Sequence, residues 1–319
     1  MGVVQIKPQI ISASRRTDIP AFYSEWFINR IRQEWGVRYN PYNGKTLSIS
    51  LKADHVGAIV FWSKNYLPLI PYLDELDKKN YNLVFHFTIT GLPSCLENNV
   101  PPSEQTLKTF KYLAGRYSPD HVLWRYDPIL LTETTDYNFH LKTFSYLCSE
   151  LERYTRRCYI SFVNLYGKVE KRLYNNDVTI NNDAYQSKIE LANFMADISL
   201  EHGINLYSCC NEFLLNEKVK KARCIDAELL RELYRIDISS YSVSPSRKKC
   251  GCYKSIDLGL YDTCLHQCLY CYANNRKERI KKNYEHHDPF YPALHKGIDI
   301  TKYSQHEIGD DYEQISLKF

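Results

Sequence analysis

"NLVFHFTIT", Asn82 to Thr90, alternates two kinds of side chain with a period of two. In an extended strand successive side chains point to opposite faces. Leu83, Phe85, Phe87 and Ile89 therefore share one face, suited to a helix layer. Val84, His86, Thr88 and Thr90 share the other, suited to a barrel lumen. The stretch starts apolar and ends polar, in "TITG".

The same design recurs along the chain. "QIISAS" (9–14), "HVGAIVFW" (55–62), "HVLWRYD" (121–127), "CYISFVNL" (158–165) and "INLYSCC" (204–210) read as further strands. Between them lie helical patterns at 23–35, 106–117, 139–154 and 184–203, the last stopped by Gly203. Strands separated by helices predict βαβ units and a parallel sheet. The expected fold class is α/β: a TIM-like parallel β/α barrel, partial or complete, of about six to eight strands. Each strand finishes in polar residues: "SRRTD", "SKN", "TITG", "RYDP", "NLYGK" and "CCNE". Active sites of such folds lie at the carboxyl ends of the strands. In "HVLWRYD" the alternation puts Leu123, Arg125 and Asp127 on one face, so Arg125 and Asp127 are expected at the mouth together. These ends nominate Asp18, Lys64, Asn65, Arg125, Asp127, Lys168 and Glu212 as substrate-binding or acid–base residues.

Composition is that of an ordinary globular chain: 319 residues, 44% hydrophobic, 24% charged. The absence of an internal repeat or long linker predicts one domain over 1–319, with a barrel body at 1–245 and a cysteine-bearing segment at 246–290. No run approaches the roughly 18 apolar residues of a membrane span. The first residues lack the pattern of a secretory signal, and Ile6 stands where a myristoylation signal wants Ser or Thr. The expectation is a cytoplasmic protein without a membrane partner. A net charge of +4 is too small to indicate nucleic acid by itself. Basic runs at Lys218–Arg223, Ser246–Lys249 and Arg276–Lys282 read as solvated faces or as phosphate contacts. The 27 tyrosines suit helix–sheet seams.

Five of the 11 cysteines fall in "CGCYKSIDLGLYDTCLHQCLYCYANN", Cys250 to Asn275. An odd number of cysteines and no secretory signal favour metal ligands or reactive thiols over disulfides. Cys264, Cys268 and Cys271 form C-x3-C-x2-C. Ordinary ferredoxin-type clusters take four cysteines, so three leave one iron for a small molecule. Alternatives are a structural zinc using Cys250, Cys252, Cys264 and Cys268, and an electron-transfer cluster completed by Cys250 or Cys252. "SIDLGLYDTC" (255–264) reads as a short strand and 272–283 as a helix after it.

"CLHQCLYCYA" resembles the radical S-adenosylmethionine signature, in the form seen in spore photoproduct lyase. The stretches "SASRRTDIPAF", "IVFWSKN", "WRYDPIL", "SFVNLYGK", "DLGLYDTC" and "CLYCYANN", with "HDP" at His287–Pro289, resemble an uncharacterised family known only as a domain of unknown function. That resemblance implies a [4Fe-4S] cluster on Cys264, Cys268 and Cys271 and S-adenosylmethionine as cofactor. It also implies an external electron donor and a small-molecule or nucleic-acid substrate. The motif of such enzymes follows the first strand; here it lies near the end, like a circular permutation that returns the last strand to the first. The chain has no Gly-Gly pair for the cofactor's amino group; Ser14, Arg15, Arg16 or Asp18 is expected to substitute for it, and Tyr270 is a further cofactor-binding candidate. The rival expectation is a nucleic-acid-associated or repair module with a structural metal or a plain redox cluster.

Overall fold

The computed structural model describes residues 7–41, 43–181, 184–245 and 249–300. Ile6, residues 246–248 of one basic run, and the boundary drawn at 245/246 lie outside that set or against its edge.

Eight strands form one parallel sheet: β1 (Gln9–Ala13), β4 (Val56–Ser63), β5 (Leu83–Thr88), β6 (Val122–Ile129), β7 (Arg157–Phe162), β8 (Asn205–Ser208), β9 (Val219–Lys221) and β10 (Ile256–Asp257). Their spatial order is β10-β1-β4-β5-β6-β7-β8-β9. β2 (Trp35–Tyr39) and β3 (Thr46–Ser50) form a separate antiparallel hairpin. The helices are α1 (Ile19–Phe22), α2 (Ser24–Gln33), α3 (Leu73–Lys78), α4 (Ser103–Arg116), α5 (Tyr137–Leu151), α6 (Gly167–Tyr174), α7 (Tyr185–Glu201), α8 (Ala227–Tyr234) and α9 (Lys277–Glu285). Among the described residues no strand ladder joins β9 to β10, so the sheet is an open array of parallel strands.

The period-two alternation sorts the sheet's two faces. Ile11, Ile59, Phe61, Leu83, Phe85, Phe87, Val122, Trp124 and Ile160 pack into one core with α2, α4, α5 and α7. Trp124 stacks on Phe144 of α5 with centroids 5.0 Å apart, and its indole N–H donates to the Ile89 carbonyl at 2.9 Å. Each large apolar side chain fully buried here contributes about 1.5–3 kcal/mol relative to exposure. The opposite face carries Ile10, Ala58, Val60, Trp62, Val84, Leu123 and Tyr159, which pack on Leu229 and Leu230 of α8. The Tyr234 hydroxyl, at the end of α8, accepts from Leu83 N–H at 2.9 Å and donates to Leu83 C=O at 2.6 Å. Leu83 opens β5, so α8 covers the inner face at the strands' amino ends and leaves the carboxyl ends open.

Predicted strands and helices fall within a few residues of the observed ones, with two differences. The extended stretch 255–264 shortens to Ile256–Asp257, and the following helix starts at Lys277 rather than 272. β10 pairs in parallel with β1, Ile11 opposite Ile256 and Ser12 opposite Asp257. The chain's last strand thus lies beside its first. The "HDPFY" segment fastens this end of the chain to α2: Arg30 donates to Phe290 O at 2.8 Å, and Trp26 Nε1 donates to Tyr291 O at 2.9 Å.

Candidate functional site

A cavity of ≈ 270 Å³ opens where the strands end. Ser14 follows β1, Lys64 follows β4, and Thr88 ends β5. Asp127 lies late in β6, Asn164 follows β7, and Asp257 ends β10; all six line the cavity.

The β1–β10 junction is knotted around one carboxylate. Asp257 accepts from Ser12 Oγ at 2.8 Å, Ser14 Oγ at 2.6 Å, Arg15 N at 3.0 Å and Gly259 N at 2.9 Å. Arg15 Nε lies 3.6 Å away. Burial works against the charge on Asp257, but Arg16, Arg15 and the Ser14 hydrogen bond outweigh it and hold its carboxyl below the ordinary range. Gly259 allows this closeness: a Cβ there would meet Ser14 Oγ at 1.9 Å. The Arg15 guanidinium lies over Trp62, 5.9 Å to the ring, and that of Arg16 over Tyr261 at 5.4 Å. Arg15 Nη1, Arg16 Nη1 and Thr17 Oγ1 are buried without a hydrogen-bond partner, and all three residues line the cavity. Buried donors left unpaired cost about 1–3 kcal/mol each, so three adjacent ones mark a place for an acceptor.

Cys264, Cys268 and Cys271 lie in the loop between β10 and α9, and all three line the same cavity. Two hubs hold this loop. Asp18 caps α1 through Ala21 N at 2.9 Å and accepts from Ser63 Oγ at 2.7 Å, Lys64 N at 2.8 Å and His266 Nε2 at 2.8 Å. His266 Nδ1 bonds Asn99 O at 3.0 Å. Glu97 is the second hub: it accepts from Lys64 Nζ at 2.8 Å, Thr90 Oγ1 at 2.7 Å and the Tyr270 hydroxyl. Burial opposes the Lys64 ammonium, yet Glu97 and neighbouring anions raise its pKa. Burial pushes the thiols of Cys264 and Cys268 up; around Cys264, Asp18, Cys271 and Cys268 add to the effect. These thiols therefore rest protonated and would release their protons on ligating a metal. Among the described residues no three His, Cys, Asp or Glu side chains stand in the geometry of a single-ion site. Neither a zinc site on Cys250, Cys252, Cys264 and Cys268 nor a cluster site on Cys264, Cys268 and Cys271 is therefore preformed among the described residues.

Across the cavity, Arg125 pairs with Asp127, and Ser161 Oγ donates to the other Asp127 oxygen. Arg125 Nη1 also donates to Cys224 Sγ at 3.1 Å.

The cavity thus gathers Ser14, Arg15, Arg16, Asp18, Lys64, Arg125, Asp127, Tyr270 and the cysteines 250, 252, 264, 268 and 271. Three nominated residues lie outside it. Asn65 accepts from Leu67 N at 3.1 Å and caps the turn that follows. Lys168, on α6, reaches Asn275 Oδ1 at 3.3 Å. Glu212 is exposed and pairs with Lys221 at 3.5 Å and Lys249 at 3.3 Å. Asp18 and Lys64 are inside, yet their oxygens and nitrogen are committed to holding the cysteine loop. His86, on the inner face of β5, is a buried core residue: Nε2–H donates to Cys224 O at 2.7 Å, and the ring stacks on Trp62 at 4.9 Å. Asp257 and Ser161 were not nominated, although the same alternation that placed Arg125 puts both on the inner face. Glu97 and Cys224 lie in irregular segments and carry no local signal.

Fold and cavity together define an α/β protein with an eight-stranded parallel sheet, helices on its faces, and a thiol-rich chamber at the strands' carboxyl ends. The chain belongs to a family described as a domain of unknown function (DUF1848), whose model matches residues 10–273. No curated protein sequence matches it. No helix among the described residues is long and apolar enough to cross a membrane.

Proposed function

We propose that the protein is an iron–sulfur enzyme of radical S-adenosylmethionine type: a [4Fe-4S] cluster on Cys264, Cys268 and Cys271, one iron open to S-adenosylmethionine, and a substrate bound in the same chamber. The observation that carries this reading is the convergence of the three thiols and three unpartnered buried donors, on Arg15, Arg16 and Thr17, upon one cavity. The strand order supports it as well. β10, the cysteine loop and α9 make a strand–loop–helix unit placed ahead of β1 in the sheet, as a circularly permuted barrel requires.

A cluster held by Cys264, Cys268 and Cys271 would supply one-electron reducing chemistry to S-adenosylmethionine at its open iron, with the electron coming from an external donor. The protein's own groups position and balance charge. Arg15 and Arg16 turn guanidinium N–H groups toward the chamber and fit the carboxylate of the cofactor or an anionic substrate. Asp257 pairs with Arg15 and, with Arg16 nearby, balances part of their charge. Trp62 and Tyr261 cover the guanidinium planes and exclude water from them. Tyr270, tied to Glu97 and Lys64, fixes the backbone between the second and third cysteines. Asp127, oriented by Arg125 and Ser161, is the carboxylate facing the chamber from the opposite side.

The test is anaerobic reconstitution, then dithionite reduction with S-adenosylmethionine. Release of 5′-deoxyadenosine by the wild type and its loss in Cys264→Ala are expected. No release from iron-loaded protein would remove the radical chemistry, and a colourless zinc protein would remove the cluster.

A further inference from the structure

The segment after β1, Arg15-Arg16-Thr17, brings more donors to the chamber than the surrounding protein supplies acceptors for. Arg15 Nη1, Arg16 Nη1 and Thr17 Oγ1 have no hydrogen-bond partner, and Arg16 and Thr17 are each only 7% exposed. Other atoms of the same residues fix the segment. Arg15 N donates to Asp257 at 3.0 Å, Arg15 Nη2 donates to Ser255 Oγ at 3.3 Å, and Arg15 O accepts from the Tyr272 hydroxyl at 2.8 Å. Arg16 N donates to Ser14 Oγ at 3.0 Å. Each guanidinium lies over its own ring, Arg15 over Trp62 and Arg16 over Tyr261. The unpaired donors cannot turn elsewhere without giving up these contacts.

Charge balance points the same way. Lys64 pairs with Glu97, and Arg125 pairs with Asp127. Asp18 faces His266, whose two ring nitrogens both meet acceptors and so both donate. Arg15 and Arg16 share one carboxylate, Asp257. One positive charge is therefore left over at this corner, and a buried charge without a counterion is costly. A lone carboxylate is satisfied by a single guanidinium, which grips it through two parallel hydrogen bonds. Two guanidiniums on separate rings, a hydroxyl and a surplus of positive charge match a larger anion. A phosphate ester carries three strong acceptor oxygens and more than one negative charge. The chamber's ≈ 270 Å³ suits a small molecule rather than a polymer.

We propose that Arg15, Arg16 and Thr17 bind the phosphate group of a small phosphorylated molecule, an inference that rests on the proposed function only in calling that molecule the substrate. Of the two anions this corner fits, it takes the substrate's. Asp257 holds Arg15 from one side, and the phosphate oxygens accept from the N–H and O–H groups that Asp257 does not reach. The binding itself needs no cluster.

Phenyl phosphate and benzoate, which share a ring and differ in the anionic group, are titrated by calorimetry into the anaerobically reconstituted protein. The proteins are the wild type, Arg16→Met, Thr17→Val and Cys264→Ala/Cys268→Ala/Cys271→Ala, with circular dichroism as the folding check. Phenyl phosphate is expected to bind the wild type at least about tenfold more tightly than benzoate, and Arg16→Met and Thr17→Val are each expected to weaken it about tenfold or more. Thr17→Val keeps the side chain's shape and removes an unpaired buried hydroxyl, so it reports on binding even if Arg16→Met fails to fold. No binding of phenyl phosphate, equal binding of benzoate, or unchanged affinity in the folded variants would overturn the inference. Direct displacement of phenyl phosphate by S-adenosylmethionine would overturn it too, by giving this corner to the cofactor. Phosphate binding kept by the triple cysteine variant, beside a wild type that releases no 5′-deoxyadenosine, would refute the cluster and leave the phosphate site. Release of 5′-deoxyadenosine by a wild type that binds no phosphate would do the reverse.

Discussion

Neutralising Asp257 is the sharpest perturbation of the chamber's scaffold. Asp257→Asn keeps the shape but removes the charge and replaces one acceptor oxygen with a donor. The amide must then face backbone N–H groups of Arg15 or Gly259, which cannot reverse their direction. It also leaves Arg15 and Arg16 without the buried anion that both feel. Removing one partner of a buried ion pair costs about 3–5 kcal/mol. Ser14→Ala removes one of the several hydrogen bonds to the same carboxylate and is expected to cost about 0.5–1.5 kcal/mol. In urea unfolding at neutral pH, Asp257→Asn should lower the midpoint by about 1–2 M with the slope unchanged. In an Arg15→Met background the same substitution should cost less, since part of the unbalanced charge is already gone. A midpoint within about 0.3 M of the wild type would refute the claim that one carboxylate organises the β1–β10 junction.

Gly259→Ala forces a Cβ to 1.9 Å from Ser14 Oγ and 2.6 Å from Ser14 Cβ; overpacking of about 1–3 kcal/mol is expected, read as a lower melting temperature. Lys64→Met strands the buried carboxylate of Glu97, at about 3–5 kcal/mol, and should loosen the cysteine loop; limited proteolysis near Cys268 reads the loosening. His86 and His140 have their pKa values pushed down to about 3 and about 4, burial being the first cause for each. The unfolded chain takes up protons below about pH 6.5 while the folded chain resists until pH 3–4, so their contribution is complete above about pH 6.5. It falls on acidification by up to roughly 1.4 kcal/mol per pH unit per histidine. Urea midpoints should therefore drop between pH 7 and pH 5, and a midpoint that holds or rises would contradict the buried neutral state.

The fold was legible because one rule applies along the whole sheet. In "NLVFHFTIT" and "HVLWRYD" the alternation separates helix-side rings from inner-face polar groups, and the structure sorts them the same way. Polar strand ends marked the chamber for the same reason: a carboxyl edge left open cannot be lined by apolar side chains alone. Position on the strand did not reveal commitment to other partners. Asn65 and Glu212 are polar and follow strands, yet one caps a turn and the other meets lysines at the surface. Glu97 and Cys224 were illegible because no periodicity governs irregular loops, and their roles arise from contacts with residues far away in sequence. The β2–β3 hairpin went unread although Asn43-Gly44 stands between two alternating stretches; Trp35 falls in the helix expected at 23–35, and residues 36–54 carry no expected element.

The central claim is an iron site on the Cys264 loop that a small molecule can reach. EPR of the chemically reduced, reconstituted protein, recorded with and without S-adenosylmethionine, tests it most directly. The account predicts a reduced-cluster signal whose shape changes when the sulfonium is added and which disappears in Cys264→Ala/Cys268→Ala/Cys271→Ala. A signal indifferent to S-adenosylmethionine, or one that survives loss of the three cysteines unaltered, would contradict it.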